Sequence, residues 1–261
     1  MGAAKAGTTS LYEYLRSVPS ICMSSNKEPH FFAPNVVSDS YFTRITDENE
    51  YLNLFKNTEN KSAIGESSPT YLWDKEAPGL IRSHSPNARI IILLRDPIER
   101  AYSHYLHHVR DGWENLPFYE ALQRDYNKRE QVWKVPDLYI DQGLYYQQVK
   151  RYLDVFGSDK VHISIFEEFV KEPERTVRTV LDFLGIDAEV PNNTGSVYNP
   201  FYQPRTGFSA KLHRFLSRSA NSSKTMYKLT HIIPIEVTTK IAFSILFKSG
   251  RKPQIPDEAK A

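Results

Sequence analysis

The chain has a single cysteine, Cys22, among its 261 residues. That excludes an intrachain disulfide and a cysteine-rich zinc site, and it fits a reducing compartment. Charge of one sign is also scarce: 33 Lys and Arg stand against 31 Asp and Glu, a formal net charge of +2. A nucleic-acid partner calls for a basic surface, so none is expected, and any anion site must be local. Long apolar runs are missing too. The N-terminus opens on Gly and Ala without the apolar core of a secretion signal. The most apolar late stretch, Ile241 to Phe247, lies between Lys240 and Lys248 and is far too short to span a bilayer, so a packed or surface-lying helix is expected there. No H-E-x-x-H pattern joins the eight histidines. No metal is expected, and the i, i+4 pair His104 and His108 reads as part of a polar helix face.

What is present is the composition of a globular protein, 40% apolar and 25% charged. The length suffices for a sizeable core, and one domain over residues 1–261 is the simplest count. Two short apolar runs, Ala88 to Leu94 and Val161 to Phe166, read as buried strands, with Ser62 to Glu66 a weaker third. Helical patterns alternate with them. Thr8 to Val18 carries Leu11, Tyr14, Leu15 and Val18 on one face and stops at Pro19. Pro97 to Arg110 opens with a capping-box pattern, Asp96 before Pro97 and Glu99 three residues after the cap. Leu144 to Phe156 and Pro173 to Leu184 each end at a glycine. Alternating strands and helices predict an α/β fold, a mainly parallel central sheet with helices on both faces. The pattern fades after Gly185.

Gly2-Ala3-Ala4-Lys5-Ala6-Gly7-Thr8-Thr9-Ser10 sets two glycines five positions apart directly before a helix. Glycines let backbone curl around an anion, and a helix N-terminus directs free N–H groups and partial positive charge at it. The P-loop of nucleoside-triphosphate enzymes puts its lysine immediately after the second glycine. Here that position is Thr8, and Lys5 sits inside the loop, which suits a shorter donor chain.

At these residues the chain resembles a known family. K-A-G-T-T-S-L-Y, from Lys5, is similar to the 5′-phosphosulfate loop of sulfotransferases that use the nucleotide sulfate donor PAPS. I-L-L-R-D-P-I-E-R-A-Y-S-H-Y, Ile92 to Tyr105, resembles the strand, turn and helix with which that family binds the donor's 3′-phosphate. The two motifs stand in the family's order, about ninety residues apart. K-E-P-H-F-F from Lys27 and G-E-S-S-P-T-Y-L from Gly65 resemble the carbohydrate branch, which includes Golgi, bacterial and heparan-sulfate enzymes. The likeness is clear over residues 1–185 and weaker over 186–261.

The resemblance implies a P-loop-type three-layer α/β/α fold, PAPS as co-substrate with PAP as product, and a saccharide hydroxyl or amine as acceptor. It assigns Lys5 to the leaving bridging oxygen, and Lys5, Ala6, Gly7, Thr8, Thr9 and Ser10 to the 5′-phosphosulfate. Arg95 and Ser103 match its 3′-phosphate ligands, a role that suits a guanidinium ending a strand before a helix cap. Arg205, in Q-P-R-T-G-F, matches a late basic loop that closes over the donor. Glu28 is the candidate base for the acceptor proton, a role that needs close positioning or a raised pKa, with His30 assisting or orienting the acceptor. The alternatives are a relative that binds PAPS, PAP or a sulfated glycan without catalysis, and a P-loop kinase. The kinase fits poorly, because it needs a lysine at position 8 and an aspartate-ended strand for Mg²⁺.

Two departures from the family pattern stand out. Ser67 takes the place of a lysine that often follows the equivalent of Glu66 in the heparan-sulfate enzymes, leaving Lys5 alone or helped by another basic residue such as Lys61. Met1 stands where the family's first strand ends, and Arg251-Lys252-Pro253-Gln254 resembles the lead-in to a final helix that does not follow. A first strand cut short and a shortened C-terminus are therefore expected. A chain complete as given would be cytoplasmic, and otherwise the resemblance implies the lumenal domain of a Golgi-type membrane enzyme. Tyr71 and Trp73 are expected to pack. Residues 112–139, with Trp113, Trp133, Lys128, Arg129 and Lys134, would suit an acidic sugar through aromatic and basic groups, and read equally well as a helix with a solvated face.

Overall fold

The computed structural model describes residues 1–36, 44–111, 113–128, 138–196, 198, 202–204, 247–250 and 252–259. Helix α1 (Thr8–Arg16) leads into β1 (Ile21–Met23), then α2 (Glu48–Leu52), β2 (Ala63–Gly65), α3 (Thr70–Trp73) and α4 (Ala77–His84). Next come β3 (Ile90–Leu94), α5 (Pro97–Asp111), α6 (Phe118–Tyr126), α7 (Tyr145–Phe156) and β4 (Val161–Ile165). Helices α8 (Phe166–Lys171) and α9 (Pro173–Leu184) follow, then the short strands β5 (Tyr202–Pro204) and β6 (Phe247–Ser249). The strands and helices read from periodicity appear within a few residues of their expected limits. Residues 241–246 and Arg205 lie outside the described residues, and no described helix is long and apolar enough to cross a membrane.

The long pairings are parallel: β1 with β2 from Ile21–Ala63 to Met23–Gly65, and β3 with β4 from Ile90–Val161 to Leu94–Ile165. Strands β5 and β6 pair antiparallel. One edge of β3 carries β4, so the bridge between Gly2 and Leu93 must use the other edge. Leu93 N donates to the Met1 carbonyl at 3.3 Å, and Ala3 N donates to the Leu93 carbonyl at 2.8 Å. Residues 1–3 thus run along the inner edge of β3 and deliver the glycine loop to the end of the sheet. Beside them, between the β1–β2 pair and β3, is an apolar groove of about 550 Å³ lined by Met1, Ile21, Met23, Ile64, Ile90 and Ile91. Ile64, half exposed, stands on the wall of this groove.

The main core joins the loop and α1 (Ala3, Ala6, Leu11, Leu15) to the strands (Ile21, Ile92, Leu93, Val161) and to α9 (Val177, Val180, Leu181). Burying an aliphatic side chain stabilises by about 1.5–3 kcal/mol, so this packing fixes α1, and with it the loop, against β3. A smaller cluster of Ala101, Tyr102, Phe118, Ala121 and Tyr139 holds α5 against α6. Half of the expected capping box forms: Asp96 Oδ1 accepts from Glu99 N at 2.8 Å. The Glu99 carboxylate does not return to the cap. It goes instead to Lys252 Nζ at 2.5 Å and Arg95 Nη2 at 3.5 Å.

Candidate functional site

The loop between β3's inner edge and α1 has little room for side chains. A Cβ on Gly2 would lie 2.8 Å from the Leu93 carbonyl oxygen. Gly7 has φ +84°, and a Cβ there would stand 2.9 Å from the Phe166 ring. Only glycine takes both constraints at little cost. Lys5 adopts φ +70°, a left-handed conformation unfavourable for a residue with a side chain. The turn leaves the first-turn N–H groups of α1 pointing out of the helix, where no residue of the same helix can accept from them.

Those groups open into a cavity of about 320 Å³. Lys5, Gly7, Thr8, Thr9 and Ser10 line one wall, Arg95 and Ser103 a second, and Glu28 and His30 a third. Nine of the candidate residues from three separated motifs therefore meet around one space. Ala6 turns the other way, fully buried in the core. Arg205 lies outside the described residues.

Arg95 is placed by its neighbours. Its Nη1 donates to the Lys5 carbonyl at 3.0 Å, its guanidinium lies 4.5 Å from the centre of the Phe166 ring, and Tyr145 Oη donates to its carbonyl at 2.9 Å. Arg95 Nε is buried with no partner among the described residues, a donor available to an anion.

Glu28 and His30 are held by the chain beyond β2. Glu28 N donates to the Ser67 carbonyl at 3.2 Å, and His30 N donates to Ser68 Oγ at 3.1 Å. Ser68 Oγ in turn donates to Glu66 Oε2 at 2.8 Å. His30 Nδ1 is 2.8 Å from Thr70 Oγ1, and its Nε2 is 3.9 Å from Glu28 Oε2. Glu28 at φ +66° and His30 at φ +53° share Lys5's left-handed conformation. Strained backbone of this kind costs of order 1–3 kcal/mol and persists where surrounding contacts enforce it.

Burial sets the electrostatics. It lowers Lys5 to about 8, helped by Arg110 and Arg95 and opposed by Asp111. Lys27 is likewise lowered to about 8 by burial and by Lys5, against the pull of Glu66. Burial lowers His30 to about 4, so its ring is neutral at pH 7. The Glu66 carboxyl is pushed up by burial, partly offset by the hydroxyls of Tyr71 and Ser68. The cavity thus concentrates cationic groups whose charge is poorly solvated, which favours an anion in their midst.

Several features of the site were not anticipated from the sequence. The expected polar face of α5 is buried: His104 is 2% and His108 1% exposed, and their ring centres lie 4.3 Å apart. Burial holds both rings and that of His107 neutral, and His104 and His107 line the cavity. Phe166, Phe169, Thr70 and Tyr14 also line it. Tyr14 Oη donates to the Ser196 carbonyl at 2.8 Å, and Gly195 and Ser196 also line the cavity. Lys61 is elsewhere, donating to the Pro19 carbonyl at 2.5 Å. The second lysine near Lys5 is Lys27, whose Nζ pairs with Glu28 Oε1. Tyr71 is buried and Trp73 Nε1 donates to Asp141 Oδ2, so both pack as expected. Residues 129–137, with Trp133, Arg129 and Lys134, lie outside the described residues.

Comparison with known proteins gives consistent results. A family model described as a sulfotransferase domain matches residues 1–203. Human carbohydrate sulfotransferase 15 is 27% identical over 241 aligned residues, covering 71% of this chain and 43% of that protein. Mouse heparan sulfate glucosamine 3-O-sulfotransferase 3B1 is 29% identical, covering 71% of this chain and 45% of that protein. The chain therefore spans less than half the length of these curated relatives. A crystal structure of a sulfotransferase from Alicyclobacillus acidocaldarius superposes with a TM-score of 0.67 at 34% identity, covering 84% of this chain and 90% of that one. A match over residues 1–203, supported by a solved fold aligned along nearly its whole length, makes this chain a member of the sulfotransferase-domain family.

Proposed function

We propose that the chain transfers the sulfuryl group of PAPS to a hydroxyl or amine of a saccharide acceptor by in-line displacement. The observation that carries this reading is the shared cavity where the glycine loop, the Arg95–Ser103 pair and the Glu28–His30 segment converge. The residues present fit the donor. The outward N–H groups of α1 and the ammonium of Lys5 suit a 5′-phosphosulfate, and Arg95 Nε, without a partner among the described residues, suits with Ser103 a 3′-phosphate.

Transfer of this kind relies on alignment and on stabilising charge where it develops. Lys5 stabilises the bridging oxygen as the S–O bond to the donor breaks. Glu28 takes the proton of the acceptor as its oxygen or nitrogen bonds to sulfur. His30, neutral and anchored to Thr70, orients the carboxylate or the acceptor. A saccharide acceptor is supported by the K-E-P-H-F-F and G-E-S-S-P-T-Y-L segments and by the carbohydrate relatives.

Thermal melting with PAP, PAPS, ATP or GTP tests the donor assignment. Stabilisation by PAP and PAPS is expected, and a shift with ATP or GTP but with neither PAPS nor PAP would sink it. Glu28→Gln tests the base: PAP binding is retained while transfer from labelled PAPS to heparan sulfate or chondroitin is lost. A wild-type protein that binds PAP but sulfates no member of a broad saccharide panel would point to a binding protein instead.

A further inference from the structure

Lys27 is not among the residues that line the cavity, yet its ammonium is paired with Oε1 of the carboxylate that does. Its side chain is only 16% exposed, against 36% for Glu28. An exposed lysine–glutamate pair contributes little, because water screens it and both side chains lose freedom. This pair is different in two ways. The lysine is mostly removed from water, and the backbone of Glu28 is fixed by the Ser67 carbonyl in a left-handed conformation. The other carboxylate oxygen faces His30 Nε2 at 3.9 Å. One oxygen is thus tied to a cation and the second is left toward the cavity and His30.

We infer that Lys27 is a positioning residue for Glu28: its ammonium holds Oε1, aims Oε2 at the acceptor, and keeps the carboxylate ionised. The inference rests on Glu28 being the base.

The charged and titratable groups around the pair are few. His30 on the same segment is neutral at pH 7. Lys5 from the glycine loop, Glu66 beyond β2 and Glu13 of α1 all act on Lys27, and Arg95 and the neutral His107 face the same cavity. Of these, Lys27 makes the direct contact with the Glu28 carboxylate, so its removal should dominate. A lost contact cation raises the pKa of a carboxylate by about 1 unit or more.

The test compares Lys27→Met, Lys27→Arg and Glu28→Gln with the wild type, all saturated with PAP. The Glu28 carboxyl carbon is followed by NMR on protein labelled with ¹³C-glutamate, and assigned by its disappearance in Glu28→Gln. In Lys27→Met its titration midpoint should rise by about one pH unit, with PAP affinity within about twofold of wild type. Transfer from labelled PAPS to heparan sulfate or chondroitin should fall about 10- to 100-fold in kcat, with the acidic limb of the pH profile moving upward in step. Lys27→Arg, which restores a cation, should return the midpoint toward wild type. An unchanged Glu28 midpoint in a Lys27→Met protein that still binds PAP overturns the inference, whether or not an acceptor has been found. If Glu28→Gln retains transfer, the base assignment fails and the inference with it. If Glu28→Gln is inactive while Lys27→Met has wild-type kcat and acidic limb, the positioning role alone fails.

Discussion

Arg95 Nη1 donates to the carbonyl of Lys5 at 3.0 Å across 90 residues of sequence. This bond ties the end of β3 to the turn of the glycine loop. The two parts proposed to grip opposite ends of one nucleotide are therefore a single assembly. Its acceptor is a backbone carbonyl, so the position of Lys5 depends on Arg95 as well as on its own turn.

Arg95→Lys should weaken PAP binding by about 10- to 100-fold. The ammonium keeps the charge but loses the planar donors and the stacking on Phe166. Ser103→Ala removes one hydroxyl and should cost less, about 1 kcal/mol or roughly fivefold. Isothermal titration with PAP measures both, and equal effects of the two substitutions would contradict the larger part given to Arg95.

Lys5→Met should abolish transfer while stabilising the protein without ligand. Burial lowers Lys5 from 10.5 to about 8, so at pH 7 the folded chain carries a charge that the unfolded chain solvates better. Removing it should raise unfolding free energy by up to about 3 kcal/mol. The sign follows from proton uptake. Between pH 8 and 10.5 the unfolded lysine binds the proton that the folded one has lost, so wild-type stability from this residue rises with pH across that window. Urea titrations of both proteins at pH 7 and pH 10 show whether the gap closes.

Acid should destabilise the chain before its carboxylates titrate. His30 is lowered from 6.5 to about 4 and His108 to about 3, both first by burial. Below pH 6.5 the unfolded histidines take up protons that the folded ones refuse, so stability falls with pH through that range until the folded values are reached. The loss should amount to about 3 kcal/mol for His30 alone on full traverse of its window. Denaturant midpoints that stay level from pH 7 to pH 4.5 would contradict the buried, neutral state of these rings.

Gly7→Ala should impair both folding and donor binding. The added methyl meets the Phe166 ring at 2.9 Å in a backbone with φ +84°. A cost of about 1–3 kcal/mol is expected from the left-handed conformation, with more from the displaced ring. Gly79→Ala is the control: it lies on α4 with open space around the Cβ position, where alanine should be neutral or mildly stabilising. Melting temperatures of the two variants with and without PAP separate the backbone effect from the ligand effect.

Much of the architecture was legible because its causes are local. Pro97 and Asp96 mark the start of α5, Gly157 and Gly185 the ends of α7 and α9, and the apolar runs mark β3 and β4. The strand β1 was missed because three residues, Ile21–Met23, are too few to show a period. The reading of α5 as polar at His104 and His108 failed for a related reason. Polar residues mark a solvent face only if nothing covers them, and here Tyr139, with the Glu114–Arg124 pair behind it, does.

The site divides along the same line. The amino-acid sequence by itself determined which residues could hold anions, because glycine spacing, a helix start and an arginine after a strand are short-range facts. It also determined α1, α5, α7 and α9 and the two main strands. Only the tertiary structure decided that those residues share one cavity, that Lys5, Glu28 and His30 sit in left-handed backbone, and that Lys27 is a buried lysine close to Lys5. Those outcomes depend on burial and on charges brought together from distant segments. Desolvation and Coulomb interactions act through space, and spacing along the chain does not encode them.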